Sequence, residues 1–86
     1  MPRPNPPPSR LLTRRRRVGE QIRAARLQAG LTQQQVCEHT GLDRTGYGRI
    51  ELGHSSPTLD TLFLIADAIG VELVELVRPP HAQSEL

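Results

Sequence analysis

Between Asp43 and Leu52 the chain sets Arg44, Thr45 and Arg49 around two glycines, Gly46 and Gly48. A guanidinium is a planar fork of donors, and that fork matches the O6 and N7 acceptors guanine shows in the major groove of a duplex. Thr45 can donate to a base edge or touch a thymine methyl. The plainer alternative makes Arg44 and Arg49 solvated surface residues and gives Thr45 only first-turn helix chemistry. Gly46 and Gly48 would each cost a helix about 1 kcal/mol relative to alanine. Either the missing side chains let the backbone come close to bases, or the glycines are tolerated drift. Covalent chemistry has no comparable foothold. There is no Ser/His/Asp set, no paired acidic stripe and no phosphate-cradling glycine loop, and His39, His54 and His81 are scattered. Cys37 has only His39 near it, two residues on and on another side of a helix, so it reads as a packing residue. No enzyme, cofactor or metal is expected.

Groups that read a groove must be held on a rigid element, and the flanking sequence supplies one. Thr32 can cap a helix, with Gln35 three residues on to return the bond to its backbone. Val36 and Cys37 then face inward, and Gly41 supplies the positive φ that ends this helix and turns into the next. Asp43 is the next N-cap, after which Tyr47 and Ile50 fall three apart on an inward side shared with Leu42. Arg44, Thr45, Gly48 and Arg49 are left pointing elsewhere. The spacing predicts helices over 33–39 and 44–51, preceded by one over 15–29 in which Val18, Ile22, Ala25 and Ala29 line a face that Gly30 closes. A fourth helix follows Pro57 with Thr58 as its cap and ends at Gly70. Its Leu59, Leu62, Phe63, Ile65, Ala66 and Ile69 form a broad apolar surface, which marks it as the central core helix. Residues 72–77 suit a fifth helix better than a strand, since every other segment is helical.

The segment from Gly30 to Gly53, with Cys37, Gly41, Leu42, Tyr47 and the I-E-x-G of Ile50 to Gly53, resembles the helix-turn-helix of Cro/phage-repressor (XRE-type) regulators. The likeness covers roughly residues 18 to 77, and the two glycines with a basic arm ahead of the first helix look most like the phage lambda repressor's DNA-binding domain. The resemblance implies an all-α fold of four to five helices. It implies base contacts from Arg44, Thr45, Gly48 and Arg49, and phosphate or groove-edge contacts from Gln33, His54, Ser55, Ser56 and Thr58. In such regulators the residue matching Gln33 sits at a helix start near phosphate and can also brace the residue matching Arg44. A salt bridge between the positions of Arg26 and Glu51 ties the first helix to the third. Cys37 stands where the family usually has Ala, and Leu52 where it usually has a polar residue near phosphate.

Eighty-six residues make one small domain with little room for a catalytic cleft or an effector domain, so a response to concentration is expected. One cysteine excludes an intrachain disulfide. No apolar run approaches a membrane span, and no signal-peptide pattern opens the chain, so a cytoplasmic, bacterial or phage-encoded protein is expected. The net charge of +2 conceals a division: residues 1–18 hold six arginines and no acid, residues 19–86 five arginines against nine acids. An acidic globule gains little from phosphate, so Arg14, Arg15, Arg16 and Arg17 are expected to supply much of the non-specific DNA affinity. A membrane-surface patch or a solvated helix end are the alternatives for these four. Residues 1–12 hold five of the eight prolines. They read as a disordered tail, a Pro-rich ligand being the sharper alternative. The expected organisation is a disordered Pro/Arg-rich arm over 1–14, a DNA-binding domain over 15–78 and a flexible tail over 79–86.

The expected partners are double-stranded DNA and a second copy in a two-fold dimer. The rival reading is an antitoxin-type module that holds a toxin partner through residues 71–78, which an intersubunit strand there would favour and a docked helix would disfavour. A basic coactivator is a third possibility.

Overall fold

The computed structural model describes residues 6–79. Among them are five helices and no strand: α1 Ser9–Gln28, α2 Gln33–Thr40, α3 Arg44–Glu51, α4 Leu59–Ile69 and α5 Leu73–Val77. The local signals act as their chemistry requires. Thr32 and Gln35 form a reciprocal capping box, Asp43 accepts from the Gly46 N–H, and Thr58 accepts from the Thr61 N–H. Gly41 and Gly70 close α2 and α4 at φ 77° and 89°, a conformation strained for any residue with a Cβ.

α1 packs on α3 and α5, α2 packs on α3 and α4, and α5 closes against α4. Ile22, Val36, Tyr47, Ile65 and Leu76 are wholly enclosed, one from each helix, with Cys37, Ile50, Ala66 and Ile69 around them. Leu42, Val18 and Ala25 are half-buried against this core. Burial pushes the Cys37 thiol up, in keeping with a packing role. Residues 72–77, which suit either state by composition, are helical from Leu73, and Gln21 Nε2 donates to the Leu76 carbonyl at 2.6 Å to fasten α5 to α1. The strand that would have favoured an antitoxin reading is not there. No helix among the described residues is long and apolar enough to cross a membrane.

Two expectations are corrected. The arm expected to be disordered over 1–14 is helical from Ser9, so α1 begins six residues ahead of the expected 15. The breaker run stops at Pro8, whose carbonyl accepts the N–H groups of Leu11 and Leu12 at 2.9 and 3.2 Å. A proline ahead of the first turn gives up only a donor that the turn would not use. Successive residues on a helix diverge by about 100°, so Arg14 to Arg17 do not stack as like charges but fan around the axis. Leu11 and Val18 meanwhile sit in one apolar groove with Leu62 and Val77. The first five residues, the tail from 80 on and His81 lie outside the described residues.

The second correction concerns α4. It is not clad in protein on all its apolar positions: Ile65, Ala66 and Ile69 are buried, but Leu59 and Phe63 remain 59% and 46% exposed. Its neighbours α2 and α5 cover one side only, and an apolar surface this broad exceeds what two short helices can bury.

Candidate nucleic-acid interface

α3 has two opposed sides. At about 100° per residue, Arg44, Thr45, Gly48 and Arg49 fall within one arc, and Tyr47, Ile50 and Glu51 within the opposite one. The second set is buried and the first faces outward, with Arg44, Thr45 and Arg49 exposed. Leu52, an apolar group 62% exposed, continues the outward arc. Neither Gly48 in this arc nor Gly46 at its margin is needed by the protein's own packing. A Cβ on Gly46 would come no closer than 3.8 Å to Asp43, and one on Gly48 no closer than 3.9 Å to Gln33 Oε1.

Behind α3 lies a charged cluster. Arg26 Nε and Nη2 donate to Glu51 Oε2 and Oε1 at 2.7 and 3.1 Å, and Arg26 Nη1 donates to the Leu31 carbonyl at 2.9 Å. Tyr47 Oη donates to Glu51 Oε2 at 2.5 Å, and Gln33 Nε2 donates to Glu51 Oε1 at 3.0 Å. Both ions are nearly sealed from water, with side chains 8% and 2% exposed. Burial alone would push the Glu51 carboxyl up, but the bonds from Arg26, Tyr47 and Gln33 outweigh it and hold the group below the usual glutamate range. Burial and the Glu51 bond push the Tyr47 phenol far up, so it remains a donor throughout. The Glu51 bond likewise raises Arg26.

Gln33 faces both ways. Its Nε2 reaches the buried carboxylate, and its Oε1 accepts from Arg44 Nε at 3.3 Å, while Gln34 Oε1 accepts from Arg44 Nη1 at 3.3 Å. The side chain is therefore engaged at both ends, and its backbone N–H, in the first turn of α2, has no acceptor within the helix. Thr58 spends its hydroxyl as the α4 cap, donating to Thr61 Oγ1 at 3.0 Å. His54 is exposed, and its N–H donates to the Arg49 carbonyl at 2.9 Å. Ser55 and Ser56 share a groove with Arg14 and Arg15. Arg14 and Arg16 are exposed, Arg15 and Arg17 half-buried.

Two glycines carry this arrangement: Gly19, which a reading by motif misses, and Gly53, which closes the I-E-x-G motif. A Cβ on Gly19 would lie 2.4 Å from the Glu51 carbonyl oxygen and 2.6 Å from that of Ile50, so α1 and α3 meet backbone to backbone there. A Cβ on Gly53 would lie 2.7 Å from Arg16 Cα. A lone glycine inside a helical pattern was the available signal for Gly19, since such a glycine usually has a packing reason.

This is the layout of a known group of proteins. The helix-turn-helix family profile matches residues 22–76. The chain is 35% identical over 68 residues to the prophage-derived HTH-type transcriptional regulator YonR of Bacillus subtilis, a match covering 79% of this chain and 63% of that protein. It is 38% identical over 65 residues to the HTH-type transcriptional regulator y4dJ of Sinorhizobium fredii, covering 76% and 84%. The crystal structure of the restriction-modification controller protein C.AhdI from Aeromonas hydrophila superposes with a TM-score of 0.69 at 29% identity, over 80% of this chain and 98% of that one. By sequence, fold and the two-sided third helix alike, the chain belongs to the helix-turn-helix family of Cro/C1-type transcriptional regulators, a family of DNA-binding proteins.

Proposed function

We infer that this chain binds a short operator in duplex DNA as a two-fold dimer, with α3 laid in the major groove, and that it acts as a repressor or autoregulator. The observation that carries this is the outward arc of α3, where Arg44, Thr45 and Arg49 stand exposed opposite a side buried in the core. In this reading Arg44 and Arg49 pair with guanine edges, Thr45 takes a neighbouring base and Gly48 lets the helix backbone approach. The backbone amide of Gln33, the loop residues His54, Ser55, Ser56 and Thr58, and the arginines from Arg14 to Arg17 hold phosphates. Because α1 is helical from Ser9, these arginines are carried on a framed element and do not have to be ordered by DNA. Leu59 and Phe63 on α4, with Val74 and Val77 on α5, are exposed apolar surface that a second copy can cover. Half-sites would then lie about one helical turn apart. The likeness to a controller protein and to a prophage-derived regulator supports control of nearby transcription.

Selection of bound duplexes from a random pool, followed by stoichiometry on the winner, tests the reading. Arg44→Ala should relax preference at one base pair per half-site by about 1 to 3 kcal/mol, and Arg49→Ala at a neighbouring one. Arg14→Gln and Arg17→Gln should each lower the slope of log K against log salt by about 0.9. If Arg44→Ala and Arg49→Ala weaken every sequence equally, α3 is not the reading helix.

A further inference from the structure

We propose that Glu51, buried and out of reach of DNA, is a specificity-determining positioning residue: its carboxylate dictates which end of Gln33 faces Arg44 and thereby how Arg44 is presented to the groove. This rests on the reading of Arg44 as a base contact. An ionised carboxylate has about four lone-pair sites and no donor. Here those sites meet Arg26 Nε, Arg26 Nη2, Tyr47 Oη and Gln33 Nε2. Only the NH2 end of the Gln33 amide can satisfy such a partner, so the carbonyl end must point outward. An outward carbonyl is an acceptor, and Arg44 Nε donates to it at 3.3 Å.

The order of events matters for recognition. With Nε turned back to Gln33 and Nη1 also in contact with Gln34 Oε1, the guanidinium is held at two of its three nitrogens, and the Nη2 donors are left for DNA. A flexible arginine held in one approach loses less freedom on binding and penalises bases that do not present matching acceptors. Were the Gln33 amide reversed, it would offer donors to a cation and release the tether. The chain of contacts runs from Arg26 on α1 through Glu51 and Gln33 to Arg44, so the core charge pair and the base reader form one unit. A Cβ on Gly48 would sit 3.9 Å from the same Gln33 Oε1, which places the tether at the helix face that enters the groove.

Gln33→Met tests this with the Arg26 and Tyr47 bonds to Glu51 left in place, because methionine keeps the length of the side chain and the backbone amide but has no carbonyl to offer Arg44 and no donor for Glu51. Operator preference at the base pair that Arg44→Ala identifies should fall about tenfold in Gln33→Met, and adding Gln33→Met to Arg44→Ala should cost less than about twofold. Glu51→Gln, assayed well below its own melting temperature, should relax the same base pair and leave the one read by Arg49 unchanged. Gln33→Met that weakens all duplexes by the same factor in both backgrounds, with an unchanged salt slope because glutamine carries no charge, would make the Gln33 side chain a phosphate contact and overturn the proposal. So would Glu51→Gln with wild-type preference at the Arg44 base pair. Absence of any selected operator for the unaltered chain would instead defeat the DNA reading itself.

Discussion

The two sides of α3 are built by opposite rules, and the four glycines around it measure the difference. Gly19 and Gly53 sit where a Cβ would strike backbone at 2.4 and 2.7 Å, and Gly46 and Gly48 where it would meet nothing nearer than 3.8 and 3.9 Å. On the inner side, glycine is a condition of the fold, because α1 could not otherwise come close enough for Arg26 to reach Glu51. On the outer side the packing of the free protein asks for no glycine at all. The inner side is also where charge is desolvated and paired, whereas the outer side carries cations in water. Stability is concentrated on one side, and recognition is free to vary on the other.

The largest effects should come from breaking the inner charge pair. Arg26→Met or Glu51→Gln should each cost about 3 kcal/mol or more in urea unfolding, and the double change less than the sum, because each single variant strands a desolvated partner. No coupling in that cycle would mean the pair is not the inner anchor. Acid unfolding sharpens the point. Since the folded Glu51 pKa is depressed, its contribution is complete above the unfolded value of about 4.3 and is lost as pH falls through the lower folded value. Glu51→Gln should flatten that part of the stability curve below about pH 4.

Gly19→Ala comes next. Its methyl group would meet two carbonyl oxygens that belong to backbone and cannot swing aside, so α1 must shift and the loss should be about 1 to 3 kcal/mol. A melting temperature unchanged in this variant would erase the difference between the two sides.

The smallest change should have the opposite sign. Gly46→Ala and Gly48→Ala should each stabilise the free protein by roughly 0.5 to 1 kcal/mol, since alanine favours helix and restricts the unfolded chain. Thermal melting gives the sign, and operator binding gives the reason. Close approach to DNA requires that at least one of them bind less tightly while melting higher. Equal binding by both variants would leave the outer glycines as drift, and lower melting would show that 44–51 is not a regular helix in solution.

Much of this could be read along the chain. The caps at Thr32, Asp43 and Thr58 and the left-handed closures at Gly41 and Gly70 depend on atoms three or four residues apart, so residue type and spacing are enough to place them. The inward set of Val36, Cys37, Tyr47 and Ile50 follows from helical period and is buried. The reading failed where a neighbour distant in sequence decides. Prolines suggested disorder through residue 14, yet α1 starts at Ser9, with Leu11 in one groove with residues of α4 and α5. Leu59 and Phe63 looked like core, but among the described residues they remain 59% and 46% exposed.

By itself, then, the sequence determined α2, α3 and α4, their caps, the family resemblance and the outward placement of Arg44 and Arg49, because each of these is written in short-range periods and residue chemistry. Tertiary structure alone decided that α1 and α3 meet backbone to backbone at Gly19, that the Gln33 amide also reaches Glu51, and that among the described residues α4 leaves apolar surface uncovered. Those outcomes rest on contacts 18 residues apart for Gln33 and Glu51, 25 for Arg26 and Glu51, and 55 for Gln21 and Leu76. No local period encodes such pairs; they exist only once helices have docked and desolvation has made each buried donor and acceptor find a partner.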